Sequence, residues 1–141
     1  MDKKVMLAAI GMAAMMATTA WAENGPTFTA GHNGSQMLIR ADDTIVYLKP
    51  KASLRGLVTD GIMLVEGKWV DGVYTGTAYA FKKGCLPAPY KVKGTTVQKG
   101  NRIDLVLEGE GPHRDPNGCD VIGHSKSSPH SRLVFDNLIG D

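Results

Sequence analysis

The chain has little of what most function classes need. It has two cysteines, two tryptophans and 6% aromatic residues overall. Lys and Arg number 16 against 14 Asp and Glu, a formal charge of +2, and a balance that even gives no argument for nucleic acid or an anionic membrane surface. Beyond the first 22 residues no apolar run approaches the roughly 20 residues that a spanning helix needs. No segment there holds a helical period for ten residues, and no G-x-S-x-G, H-x-x-x-H or paired-cysteine zinc spacing occurs. These absences exclude the common signatures of helical membrane proteins, zinc modules and serine hydrolases.

The N-terminus does carry a pattern. Lys3 and Lys4 precede an uncharged stretch from Val5 to Ala20, and Ala20-Trp21-Ala22 is a small-x-small site followed by Glu23 and Asn24. That is the layout of a secretory signal peptide over 1–22, cleaved between Ala22 and Glu23. A membrane anchor is the alternative, but the run of about 16 residues is short and rich in Ala and Met. Removal of residues 1–22 from the 141 leaves 119, enough for one domain, with Trp69 as its single tryptophan and a charge near +1. The expected location is the periplasm or the medium. Both cysteines remain, and in an oxidising compartment a Cys85–Cys119 disulfide is the expectation, with two free thiols as the alternative. On a chain-entropy model such a bridge is worth roughly 3–4 kcal/mol.

Residues 23–43 are rich in Gly, Asn, Thr and Ser without a sustained period, and read as a flexible lead-in in which only Met37–Arg40 would dock at an edge. From Thr44 a single β-domain is expected to run to residue 141. TIVYLK (44–49), GIMLVEGKW (61–69), residues 73–82, YKVKG (90–94), RIDLVLEGE (102–110), CDVIGH (119–124) and RLVFDN (132–137) read as strands, while LRGLV (54–58) is ambiguous. Asp71-Gly72 is a hairpin signal, and GPHRDPNG (111–118) has the composition of a loop. Short strands joined by short turns imply an all-β fold, a small antiparallel meander forming a barrel or a sandwich.

GVYTGTAYAFKKGC (72–85) is the most unusual stretch. Val73, Thr75, Thr77, Tyr79 and Phe81 alternate with the small Gly76, Ala78 and Ala80. The expectation is that the bulky face supplies core, while the small face permits close approach or sharp coiling. In RIDLVLEGE, Ile103, Leu105 and Leu107 are expected inside, with Arg102, Asp104 and Glu108 outside.

Gly72, Tyr74, Gly76, Thr77, Ala78, Tyr79 and Phe81, then Cys85, Pro87, Pro89, Tyr90, Val92 and Gly94, then Leu107, Gly109, Cys119 and Leu133–Phe135 form a series. It resembles a small secreted two-cysteine β-domain of alphaproteobacteria, of rhizobial type, over roughly residues 44–137. Such domains stand alone after a signal peptide or are attached to larger exported proteins, some caspase-like. The resemblance implies a two-cysteine β-domain and transfers no catalytic residue.

Candidate chemistry is thin. His113, Arg114 and Asp115 share one loop, with His124 and His130 beyond, and His-Arg-Asp resembles a kinase catalytic loop without its surrounding motifs. Solvent-facing loop residues are the plainer reading, with metal binding by scattered histidines as the alternative. Ser125, Ser127, Ser128 and Ser131 lie near His124 and His130 without an oxyanion motif. Lys82, Lys83, Lys91, Lys93 and Lys99 cluster in sequence, either as a weak basic face for acidic glycans or polymer phosphates or as lysines that keep a sheet edge soluble. Asn33-Gly34-Ser35 matches a glycosylation acceptor. The expected function is therefore a non-catalytic binding or envelope-stabilising module. It would have no cofactor or metal, and its partner would be an envelope or extracellular protein or glycan. A periplasmic inhibitor of a hydrolase, of lysozyme or protease type, is the alternative.

Overall fold

Tight turns set the strand order. A computed structural model describes residues 26–140, so the leader and its Ala22–Glu23 cleavage site lie outside the described residues. Phe28–His32 (β1) and Ser35–Ile39 (β2) are joined by Asn33-Gly34, whose φ values of 49° and 90° are both positive. Ile45–Lys49 (β3) follows, then a 3-10 turn at Ala52–Leu54 and Met63–Val70 (β4). Asp71-Gly72, with φ of 52° and 81°, turns the chain into Val73–Ala80 (β5). Such two-residue turns match the twist of antiparallel strands. Ala88–Lys99 (β6), Arg102–Glu108 (β7), Gly111–Arg114 (β8), Val121–Ser125 (β9) and Arg132–Gly140 (β10) complete the chain.

Eight of these strands close into an antiparallel barrel in the order β1-β10-β7-β6-β5-β4-β3-β2. Each pairs with its neighbour in sequence until β7, where the β8–β9 hairpin intervenes as a separate two-stranded sheet. The expected all-β antiparallel meander is therefore a barrel and not a sandwich. β10 closes it by pairing first with β7 (Phe135 opposite Leu105) and then with β1 (Asp136 opposite Gly31).

The reading of 23–43 as a lead-in is corrected, because β1 and β2 are barrel strands. Their composition is poor in β-branched residues, yet Ala30, His32, Ser35, Met37 and Ile39 are all buried. The signal that would have found them is Asn33-Gly34, which is a turn of the favoured hairpin kind and not merely part of an acceptor sequence. The loop assigned to 111–118 is also corrected, since its first four residues form β8 and pair with β9. The ambiguous LRGLV supplies no strand, but Val58 is 2% exposed and joins the core cluster.

The orientation of β5 reverses the expectation. Tyr74, Ala78 and Ala80 point into the core, while Thr75 is exposed and Val73, Thr77 and Tyr79 are only partly covered. An eight-stranded barrel has an interior just wide enough for side chains. Tyr74, Tyr90, Met37 and Phe135 occupy much of it, and Ala78 and Ala80 leave them room. Ala78 sits opposite Tyr90, a small–large pair across one rung. The prediction of close approach on the small face does hold. A Cβ added at Gly76 would meet the Glu66 carbonyl oxygen and lie 2.8 Å from the Gly67 Cα.

β7 departs from simple alternation too. Leu105 and Leu107 are fully buried as expected, but Ile103 is 43% exposed near the strand end. Asp104, expected in solvent, is 1% exposed. Its carboxylate accepts a hydrogen bond from the Asn137 backbone N–H at 2.9 Å and forms a salt bridge with Arg102 at 3.3 Å. Asn137 has φ of 55° and marks a local departure of β10 from extended geometry.

Candidate functional site

The β8–β9 hairpin is the main elaboration on the barrel, and it is tied to the connection between β5 and β6 by three devices. The first is the Cys85–Cys119 disulfide, with a Cα–Cα distance of 5.4 Å. The second is Arg114, whose guanidinium donates to Cys119 O at 2.7 Å, Leu86 O at 2.8 Å and Ala80 O at 3.1 Å. The third is Lys82, whose Nζ donates to Gly118 O at 2.7 Å, Asp115 O at 3.2 Å and Pro116 O at 3.5 Å. Charged donors shared among carbonyl oxygens make strong hydrogen bonds. Arg114 reaches from hairpin to barrel, and Lys82 reaches back from barrel to hairpin.

Two residues expected to face solvent or ligand are thus engaged in holding backbone. Arg114 does not join a catalytic loop with His113 and Asp115, and Lys82 does not contribute to a free basic face. The Asp115 carboxylate accepts from the Asn117 backbone N–H at 3.0 Å, an Asx turn within the β8–β9 connection. Sequence reasoning missed these roles because each depends on carbonyl groups more than 25 residues away.

The histidines separate. His113 Nε2 lies 2.7 Å from Ser125 Oγ, and Ser125 Oγ lies 2.8 Å from Ser127 Oγ. This brings together a histidine and a serine in a chain that the sequence did not pair. Nucleophilic chemistry would need the imidazole to be oriented by a third group, usually a carboxylate. Among the described residues no carboxylate hydrogen-bonds His113, and the Ser125 hydroxyl already accepts the Ser127 N–H at 3.2 Å. The arrangement closes the turn after β9. His124 is exposed in β9, opposite Pro112.

His130 is half-buried beneath the hairpin, where its carbonyl accepts the Tyr90 hydroxyl at 2.8 Å. Burial, with the nearby charges of Arg114 and His113, lowers the His130 pKa. Burial also raises the Tyr90 hydroxyl to about 12, helped by Tyr47, so that it stays a donor. Among the described residues no group of three or more His, Cys, Asp or Glu is placed to hold a metal ion.

Large apolar side chains remain accessible near the hairpin. Leu86 is 86% exposed between the disulfide and Pro87, and Ile122 is 67% exposed on β9. A shallow depression lined by Leu86, Pro87, Pro89, Arg114 and Val121 lies beside the disulfide. As one strand of a two-stranded sheet, β9 keeps an edge that no other described strand covers. The remaining lysines divide as well: Lys91 and Lys93 border a cleft on the outer barrel wall, whereas Lys99 ends β6 at the Gly100-Asn101 turn.

No described helix is long and apolar enough to cross a membrane. Comparison of the chain with protein-family models, curated proteins and solved structures finds no match.

Proposed function

We propose that this chain is an exported, non-catalytic binding module of the cell envelope, with the barrel as scaffold and the β8–β9 hairpin as the presented element. The single observation that carries the reading is the threefold anchoring of that hairpin. The disulfide, Arg114 and Lys82 immobilise a surface that leaves Leu86 and Ile122 exposed. Preorganisation of this kind reduces the ordering cost of association, and Leu86 and Ile122 each offer an exposed apolar side chain on the anchored segment. The leader-like N-terminus, the disulfide and the resemblance to secreted two-cysteine domains support export to an oxidising compartment. The barrel interior is occupied by side chains, which argues against a buried substrate pocket.

The inhibitor reading is favoured by one feature. Leu86 stands in the open between disulfide-bonded Cys85 and Pro87, a constrained, protruding apolar side chain that would suit insertion into a hydrolase cleft. Both readings are tested by affinity capture from envelope extracts with wild type, Ile122→Asp and Leu86→Asp proteins. A binding module retains a partner that is lost with Ile122→Asp. An inhibitor retains one hydrolase stoichiometrically and releases it with Leu86→Asp. Retention unchanged by both substitutions would reject the hairpin as the contact surface.

A further inference from the structure

A second surface, independent of whatever the hairpin binds, lies on the outer wall where β7 leaves the barrel. A cleft of about 710 Å³ is bordered by Lys91, Lys93, Lys126, Glu108, Glu110 and Ser131. Lys91 and Lys93 stand two positions apart on the exposed face of β6, hence about 7 Å apart along the strand. Glu108 ends β7 directly opposite Lys93 on one side and Arg132 on the other. Lys126 and Ser131 come from the connection between β9 and β10.

The floor of this cleft is fixed. The Gly109 backbone N–H donates to Ser131 O at 2.9 Å. A Cβ at Gly109 would collide with the Lys91 carbonyl oxygen, so only glycine lets the chain lie this close to β6. The charges above it are unpaired. The only salt bridge among the described residues joins Arg102 to Asp104, and no side-chain hydrogen bond engages Lys91, Lys93, Lys126, Glu108 or Glu110. Three ammonium groups and two carboxylates therefore surround one concavity with an excess of positive charge, where low-dielectric walls focus the field.

A ligand suited to this arrangement offers anions to the lysines and hydroxyl donors to the glutamates. We propose that the cleft binds an acidic glycan, a chain of uronate-type sugars whose carboxylates meet Lys91, Lys93 and Lys126 and whose hydroxyls donate to Glu108 and Glu110. A polyphosphate supplies the anions at higher charge density but no hydroxyl donors, so nothing offsets its repulsion by the two carboxylates. The same lysines as a generic cationic patch would favour the ligand of highest charge density whatever the glutamates do.

The test is amide-shift titration at low salt with oligogalacturonate, inorganic polyphosphate and a neutral gluco-oligosaccharide. Oligogalacturonate should shift residues 91–93, 108–110 and 126–131 selectively, and the neutral sugar should not. Lys91→Gln with Lys93→Gln should weaken oligogalacturonate at least tenfold, and Lys99→Gln should leave it unchanged. Glu108→Gln with Glu110→Gln should weaken oligogalacturonate while strengthening polyphosphate. Tighter binding of both polyanions by that glutamate variant would overturn the proposal in favour of an unspecific cationic patch. So would tighter binding of polyphosphate by the wild type, shifts spread over every lysine, or no oligogalacturonate response.

Discussion

Gly76 on β5 faces Gly67 on β4, and a Cβ at Gly76 would lie 2.8 Å from the Gly67 Cα and against the Glu66 carbonyl oxygen. Backbone, not a movable side chain, blocks that position. Gly76→Val should therefore destabilise by about 1–3 kcal/mol through overpacking, even though β-propensity favours valine. Thr75→Val, next door on the exposed face, should change stability by no more than about 0.5 kcal/mol. Urea melts of the two variants check this; a neutral Gly76→Val would mean that β4 and β5 separate more easily than their register implies.

The disulfide and Arg114 act on the same hairpin, so their losses should not simply add. Cys85→Ser should lower stability by roughly 3 kcal/mol on the chain-entropy estimate. Arg114→Ala should cost about 1.5–3 kcal/mol, because three carbonyls lose a charged donor. Arg114→Lys should restore little of it, since an ammonium lacks the planar fork that reaches Cys119, Leu86 and Ala80 together. Thermal melts of single and double variants measure the coupling, and strict additivity would show that the two devices hold different segments.

Acid should weaken the fold before the carboxylates titrate. His32 is 5% exposed, stacks on Phe135 at a centroid distance of 4.8 Å, and lies 2.9 Å from Val134 O through Nδ1. Burial lowers its pKa below 6.5, outweighing the Val134 hydrogen bond and nearby Asp136, which act the other way; Lys51 adds to the lowering. His130 is lowered for the same leading reason. The unfolded chain then binds more protons than the folded one just below pH 6.5, so stability falls as pH drops through that window. The loss is complete once the folded rings are protonated as well. Urea midpoints at pH 7.5 and 5.5 should differ, and His32→Gln should reduce the difference. An unchanged slope in that variant would place the acid sensitivity elsewhere.

The exposed histidines should matter less. His113 and His124 lie on the hairpin surface, and His113 contacts only the Ser125 hydroxyl among the hydrogen bonds of the described residues. Replacing both by Ala should leave the melting temperature within a few degrees. Elemental analysis before and after the change tests the metal alternative: a stoichiometric metal lost with these side chains would promote them to ligands.

The fold was legible where alternation and turn chemistry agreed. TIVYLK, GIMLVEGKW and YKVKG fall within or overlap β3, β4 and β6, and Asp71-Gly72 makes the turn it signals. Failure came where one face of a strand is small. In β5 hydrophobic size alone points to the wrong face, because a narrow barrel needs small side chains beside its tyrosines. β1 and β2 were hidden because FTAGH and SQMLI mix small, polar and apolar residues without a clean alternation, and their burial depends on β10 arriving from the other end of the chain. Asp104 was hidden likewise, since its partner is the Asn137 backbone N–H 33 residues away. The cysteine pair was readable from compartment logic, whereas the cation clamps of Arg114 and Lys82 use backbone acceptors that carry no sequence signal. Of the outer cleft, Lys91 and Lys93 were visible; Glu108 joins them through the β6–β7 pairing, and Lys126 only through the connection between β9 and β10.

Export and clamping of the barrel by one disulfide are tested together, and most directly, by intact-mass analysis of protein recovered from its native host and denatured in alkylating reagent without reductant. The predicted mass is that of residues 23–141 less two hydrogens, with no alkyl group added. A product that retains residues 1–22 would contradict export, and one that takes up two alkyl groups would contradict the clamp.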